Sequence, residues 1–134
     1  MEELSNLSLK NDLRKDKEAP MGKFMALLVE HDPVQREVFS NVLKEDGLEV
    51  LECSTAEAAE LVVATSGTEL QVVITDQKLE GRMSGSELAA FARQRFPHLK
   101  IVVMSGKEAP RLPNATCFLQ KPFSPSDLVR AVRA

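Results

Sequence analysis

The chain has 134 residues, enough for one domain with its own core, and its 43% hydrophobic and 28% charged residues are ordinary for a globular protein. A net charge of −3 argues against a dedicated nucleic-acid surface, and no apolar stretch approaches the roughly 20 residues needed to span a membrane. The charged amino terminus lacks the apolar stretch of a secretory signal, so a cytoplasmic location is expected. Cys53 and Cys117 match no metal spacing and read as reduced thiols.

Residues 1–22 mix acids and bases around a few leucines and end in Ala19-Pro20-Met21-Gly22. This is the composition of a polar leader, disordered or weakly helical, because it buries too little apolar surface to offset its ordering entropy. A second segment, 23–134, alternates between strand and helix patterns. Phe24–Val29 is a continuous apolar run, as in a strand buried on both faces. Asp32-Pro33 then opens a helix, with Asp as N-cap, Pro in the first turn and Gln35 three residues after the cap. Val34, Val38 and Val42 mark its expected core face, and Gly47 its stop. Leu48–Cys53 alternates like an edge strand, and Ser54-Thr55-Ala56-Glu57 reads as a capping box for a second helix through about Val63.

Leu70–Thr75 predicts the central strand, 81–85 a loop, and Ser86–Arg95 a third helix stopped by Pro97. Lys100–Met104 and Thr116–Gln120 predict two further strands, and Ser124-Pro125-Ser126-Asp127 caps a last helix. Repeated βα units imply a parallel sheet with right-handed crossovers. One connection departs from the pattern. Residues 106–115 include Pro110 and Pro113, and proline costs a helix interior roughly 3 kcal/mol. A loop, or at most one turn, is expected where a fourth helix would stand.

Polar groups close the apolar runs: Glu30-His31-Asp32, Asp76, Ser105 and Lys121. At the carboxyl ends of parallel strands these groups converge in the crevice where open α/β sheets place ligands. Carboxylates, a hydroxyl and a lysine together suit phosphoryl chemistry on an aspartate.

Together these residues resemble a response-regulator receiver domain, the phospho-accepting half of two-component signalling. The likeness spans 23–134 and rests on motifs in correct order: the acidic end of the first strand, Ile74-Thr75-Asp76, Met83-Ser84-Gly85-Ser86-Glu87-Leu88, Met104-Ser105-Gly106 and Phe118-Leu119-Gln120-Lys121-Pro122-Phe123. The resemblance implies an α/β, flavodoxin-like, doubly wound five-stranded parallel sheet of order 2-1-3-4-5, here with a shortened or missing fourth helix. It implies that Asp76 takes a phosphoryl group from a histidine kinase or phosphotransfer protein. It also implies Mg²⁺ held by Glu30, Asp76 and the backbone carbonyl of Lys78, because an anionic carboxylate must approach an anionic phosphoryl group. By the same resemblance Lys121 and Ser105 contact the phosphoryl group, Ser105 and Phe118 form the switch, and Lys121-Pro122 is a cis peptide.

Where the family has two successive acids at the first strand's end, this chain has Glu30 and then His31. One expected negative charge is missing. Weaker Mg²⁺ binding follows, with tolerance of Mn²⁺ or other ions that accept imidazole, unless His31 turns away and water or Asp32 fills the gap. Lys78, Gly106 and Lys107 would flank the mouth of the site, the two lysines either drawing in the phosphodonor or standing solvated. The chain stops directly after its last helix, so the expectation is a stand-alone receiver acting on an unknown downstream protein or by phosphorelay. No nucleic-acid or membrane partner and no activity beyond its own phosphorylation and dephosphorylation are expected. One alternative is a non-phosphorylated pseudo-receiver that binds protein. Another is an aspartate-dependent phosphohydrolase, which needs an acid two residues past its nucleophile, where this chain has Lys78.

Overall fold

The structure is a computed structural model that describes residues 24–134; the expected leader, 1–22, lies outside the described residues. Five strands form one sheet: β1 (Met25–Val29), β2 (Glu49–Cys53), β3 (Val72–Asp76), β4 (Lys100–Ser105) and β5 (Thr116–Gln120). All pairings are parallel and the order is β2-β1-β3-β4-β5, the doubly wound arrangement expected from the sequence. Helices α1 (Pro33–Glu45), α2 (Ala56–Ser66) and α3 (Gly85–Arg95) connect the first four strands, and α4 (Pro125–Arg133) follows β5.

Period-two alternation on the central strands sorts side chains between two cores. Leu27, Val29, Val73, Ile101 and Val103 meet α2 and α3. Ala26, Leu28, Val72, Ile74, Val102 and Met104 meet α1 and α4 on the opposite face. Fully buried apolar side chains on both faces hold β1, β3 and β4 rigid, so the polar residues at their carboxyl ends stand on a fixed platform.

The face of α1 differs from expectation. Val34 and Val38 are 69% and 52% exposed, while Leu43 is buried and Phe39 and Val42 pack against the core. Two ladders at helical spacing compete here, and the one carrying the larger Phe39 and Leu43 side chains takes the interior. The cap of α1 matches the sequence reading: Asp32 accepts the Val34 and Gln35 N–H groups and Pro33 sits in the first turn. Gly47, after the helix, adopts φ +93°, which favours glycine.

The expected Ser54–Glu57 capping box does not form. Thr55 is the N-cap of α2 and accepts the Ala58 N–H. Glu57 instead accepts the backbone N–H groups of Arg82 and Met83 at 2.9 and 3.2 Å, so it braces the β3–α3 loop. The helix also runs past Val63 to Ser66. Helix α3 starts at Gly85 rather than Ser86, capped by Ser84 in a reciprocal box with Glu87.

No helix joins β4 to β5, as the two prolines predict. The loop is anchored by Arg93 of α3, whose guanidinium donates to the carbonyls of Pro97 (2.8 Å), Leu99 (2.6 Å), Asn114 (3.2 Å) and Ala115 (3.1 Å). Leu112 covers part of the core that a helix would otherwise shield.

Candidate functional site

Glu30 directly follows β1 and is fully buried. Its N–H donates to the Cys53 carbonyl at 3.0 Å, its own carbonyl accepts Arg36 Nη1 at 2.7 Å, and its Oε2 accepts the Asp32 N–H at 3.2 Å. Asp76 ends β3 and is 6% exposed. Lys121 follows β5, its N–H donating to the Ser105 carbonyl at 2.8 Å. Its ammonium reaches Glu30 Oε1 at 3.1 Å, Asp76 Oδ1 at 3.3 Å and Gln35 Oε1 at 2.6 Å. Glu30, Asp76 and Lys121, from the ends of three strands, thus meet at one point.

Burial pushes the Glu30 carboxyl above the usual carboxylate range and the charge of Asp76 pushes the same way, against the pull of Lys121 and the Asp32 N–H. Buried ion pairs add little net stability, because desolvation offsets the attraction. Two acids around one ammonium therefore point to chemistry rather than to scaffolding.

Asp76, Lys121, Ser105 and His31 line a cleft of about 710 Å³, with Lys78, Gly106 and Lys107 also on its wall. Ser105 is buried and its hydroxyl accepts the Lys107 N–H at 3.1 Å. Lys78 and Lys107 are exposed. A Cβ on Gly106 would meet nothing within 4 Å, so packing does not require glycine there. Phe118 stands on β5 beside Val103 of β4 and is half-buried. The Lys121–Pro122 peptide is cis, as expected.

His31 faces the same acids. Its Nδ1 is buried without a hydrogen-bond partner and lies 3.7 Å from Glu30 Oε2. Ligand atoms of Glu30, His31 and Asp76 all fall within 4.8 Å of one another. Asp32 lies outside this group, and its Oδ1 accepts the Val34 and Gln35 N–H groups of the α1 cap at 2.9 and 3.3 Å. Two carboxylates and an orphaned imidazole nitrogen form a donor set that fits a divalent cation.

Several supporting residues escaped sequence reasoning. A Cβ on Gly85 would sit 2.2 Å from the Asp76 carbonyl oxygen, so only glycine lets α3 start this close to Asp76. The Gln77 side chain accepts the Ser86 N–H at 2.8 Å and donates to its hydroxyl at 3.2 Å, tying the residue after Asp76 to that helix. Phe39 and Phe123 stack at 5.3 Å, and the Lys121 ammonium lies 5.5 Å from the Phe39 ring centre. Gln35 carried a local signal as a helix-start residue, but nothing local connects it to Lys121.

A family profile described as the response regulator receiver domain matches residues 26–133. The chain is 36% identical over 113 residues to response regulator protein FleR of Pseudomonas aeruginosa, covering 79% of this chain and 23% of that protein. It is 31% identical over 114 residues to transcriptional regulatory protein FixJ of Azorhizobium caulinodans, covering 80% of this chain and 52% of that protein. The chain therefore spans only about a quarter to a half of these relatives. Among solved structures, a response regulator receiver protein of Sinorhizobium medicae superposes with a TM-score of 0.76 at 27% identity, covering 83% of this chain and 92% of that one. The receiver domain of the hybrid histidine kinase CckA superposes with a TM-score of 0.72 at 27% identity, covering 81% of this chain and 95% of that one. No helix among the described residues is long and apolar enough to cross a membrane.

Proposed function

Since the chain belongs to the response regulator receiver domain family, we propose that Asp76 accepts a phosphoryl group from a phosphohistidine on a histidine kinase or phosphotransfer protein. The observation that carries this reading is the Asp76 carboxylate at the end of the central strand, 3.3 Å from the Lys121 ammonium and open to the cleft. An Asp76 oxygen attacks phosphorus, the P–N bond breaks, and the imidazole leaves with the electron pair and takes a proton from water. A divalent cation, Mg²⁺ in the family, would be held by Glu30, Asp76 and the Lys78 carbonyl, and would neutralise charge on the transferring group. Lys121 follows the phosphoryl oxygens as a point charge. The Ser105 hydroxyl turns from the Lys107 N–H to donate to the same group, drawing the loop after β4 inward. Hydrolysis of the acyl phosphate returns Asp76 and inorganic phosphate.

Output passes by contact with a downstream protein or by onward transfer of the phosphoryl group, in the cytoplasm. Catalysis is confined to the chain's own phosphorylation and hydrolysis. Lys78 occupies the position where a phosphohydrolase would need an acid to protonate its leaving group.

A second reading, a pseudo-receiver that binds protein without phosphorylation, is favoured by His31 standing in place of an acid. Intact mass after incubation with a small phosphodonor and a divalent cation separates the two. A phosphoryl adduct that is lost in Asp76→Asn supports the receiver. No adduct with any cation supports the pseudo-receiver.

A further inference from the structure

Resting on the reading that Glu30 and Asp76 hold a divalent cation, we propose that His31 is the third protein side chain bound to it. Its imidazole makes the site prefer a nitrogen-accepting later first-row ion, such as Co²⁺ or Ni²⁺, over Mg²⁺.

Three observations carry this. First, the His31 ring is 36% exposed, yet its Nδ1 is shut from solvent and has no hydrogen-bond partner. Buried polar atoms are ordinarily satisfied, so an inward-turned orphan nitrogen calls for a partner. Second, the spacing suits a shared ion. Around an octahedral centre with bonds of about 2.1 Å, neighbouring ligand atoms lie roughly 3 Å apart and opposite ones roughly 4 Å apart. His31 Nδ1 stands 3.7 Å from Glu30 Oε2, and the whole set falls within 4.8 Å. Third, the Glu30 oxygens divide the work: Oε1 faces Lys121 while Oε2 faces His31 and the Asp32 N–H. The imidazole side of Glu30 is thus the side away from the ammonium.

The donor set then decides the metal. Mg²⁺ dehydrates reluctantly and seeks charged or carbonyl oxygen. A neutral nitrogen in place of a carboxylate removes one negative charge from its site and adds a donor that Mg²⁺ uses poorly. Imidazole suits the later first-row ions, and the affinities of nitrogen-containing sites rise from Mn²⁺ through Co²⁺ to Cu²⁺.

The test is calorimetric titration of the full chain with Mg²⁺ and with Co²⁺, in wild type, His31→Ala and His31→Asp. Pulsed paramagnetic resonance of the Mn²⁺-loaded protein accompanies it, reading nitrogen-14 coupling directly. The expected result is a preference for Co²⁺ over Mg²⁺ of about a hundredfold in wild type, falling tenfold or more in both variants. Nitrogen coupling should be present in wild type and absent in His31→Ala, which excludes the second histidine, His98, as its source. Metal binding with the same ratio in all three proteins and no nitrogen coupling overturns the role of His31 and leaves the receiver reading standing. Failure of wild type to bind either ion overturns both.

Discussion

The Lys121 ammonium lies closer to the neutral amide oxygen of Gln35, at 2.6 Å, than to the carboxylates of Glu30 and Asp76 at 3.1 and 3.3 Å. Gln35 belongs to the first turn of α1, whose start is set by the Asp32 cap, so the α1 cap also fixes where the lysine rests. To reach a phosphoryl group, Lys121 must loosen this hold.

Gln35→Ala is therefore expected to raise the rate of phosphorylation by a small donor, by up to about tenfold, equivalent to about 1.4 kcal/mol of a hydrogen bond to a charged group. Adduct formation followed by mass against time checks this. A slower variant would mean that Gln35 aims the lysine instead of restraining it.

Gly85→Ala places a methyl group 2.2 Å from the backbone oxygen of Asp76 itself. Neither helix nor strand gives way easily, so a stability loss of about 3 kcal/mol is expected, read as a lower urea midpoint. Phosphorylation should fall with it even where the protein stays folded, because Asp76 is displaced. Gly106→Ala, at a position with open space around it, should leave the stability within about 0.5 kcal/mol of wild type.

Arg93 is expected to act as the clamp on the helix-free connection. Arg93→Ala removes its bonds to the Asn114 and Ala115 carbonyls and should cost about 2–3 kcal/mol. Amide exchange should quicken in residues 106–115 before it does in the central strands. Arg93→Lys should not rescue it, since one ammonium cannot spread over carbonyls that a planar fork reaches together.

Acid should loosen the β3–α3 loop through Glu57. The N–H groups of Arg82 and Met83, with that of Glu57 itself, hold its carboxyl below the ordinary value of 4.5. A depressed folded value means that the stabilising contribution is present above about pH 4.5 and is lost as pH falls through the folded value. Denaturant midpoints measured from pH 6 down to about pH 3 should decline less steeply in Glu57→Gln than in wild type. Identical slopes would assign the acid sensitivity to other carboxyls.

The places where the chain surprised are those where two segments compete or meet. Val34 and Val38 have faultless helical spacing, but so do Phe39 and Leu43, and only packing against β1, β2 and α4 decides which ladder turns inward. Ser54 and Glu57 have the spacing of a capping box, yet Glu57 found better partners in a loop 25 residues away. Local patterns state what a segment can do and not which neighbour will claim it.

The amino-acid sequence by itself determined the strands, the order of helices, the helix-free connection between β4 and β5 and the line of polar residues at the strand ends. Those features rest on local chemistry: hydrophobic period, caps and the cost of proline in a helix. Tertiary structure alone decided that Gln35 holds Lys121, that Gly85 must be glycine, that Arg93 closes the bare connection and that the His31 nitrogen points inward without a partner. Each of these depends on distances between residues far apart in the chain, which only the closed sheet and its packed helices set.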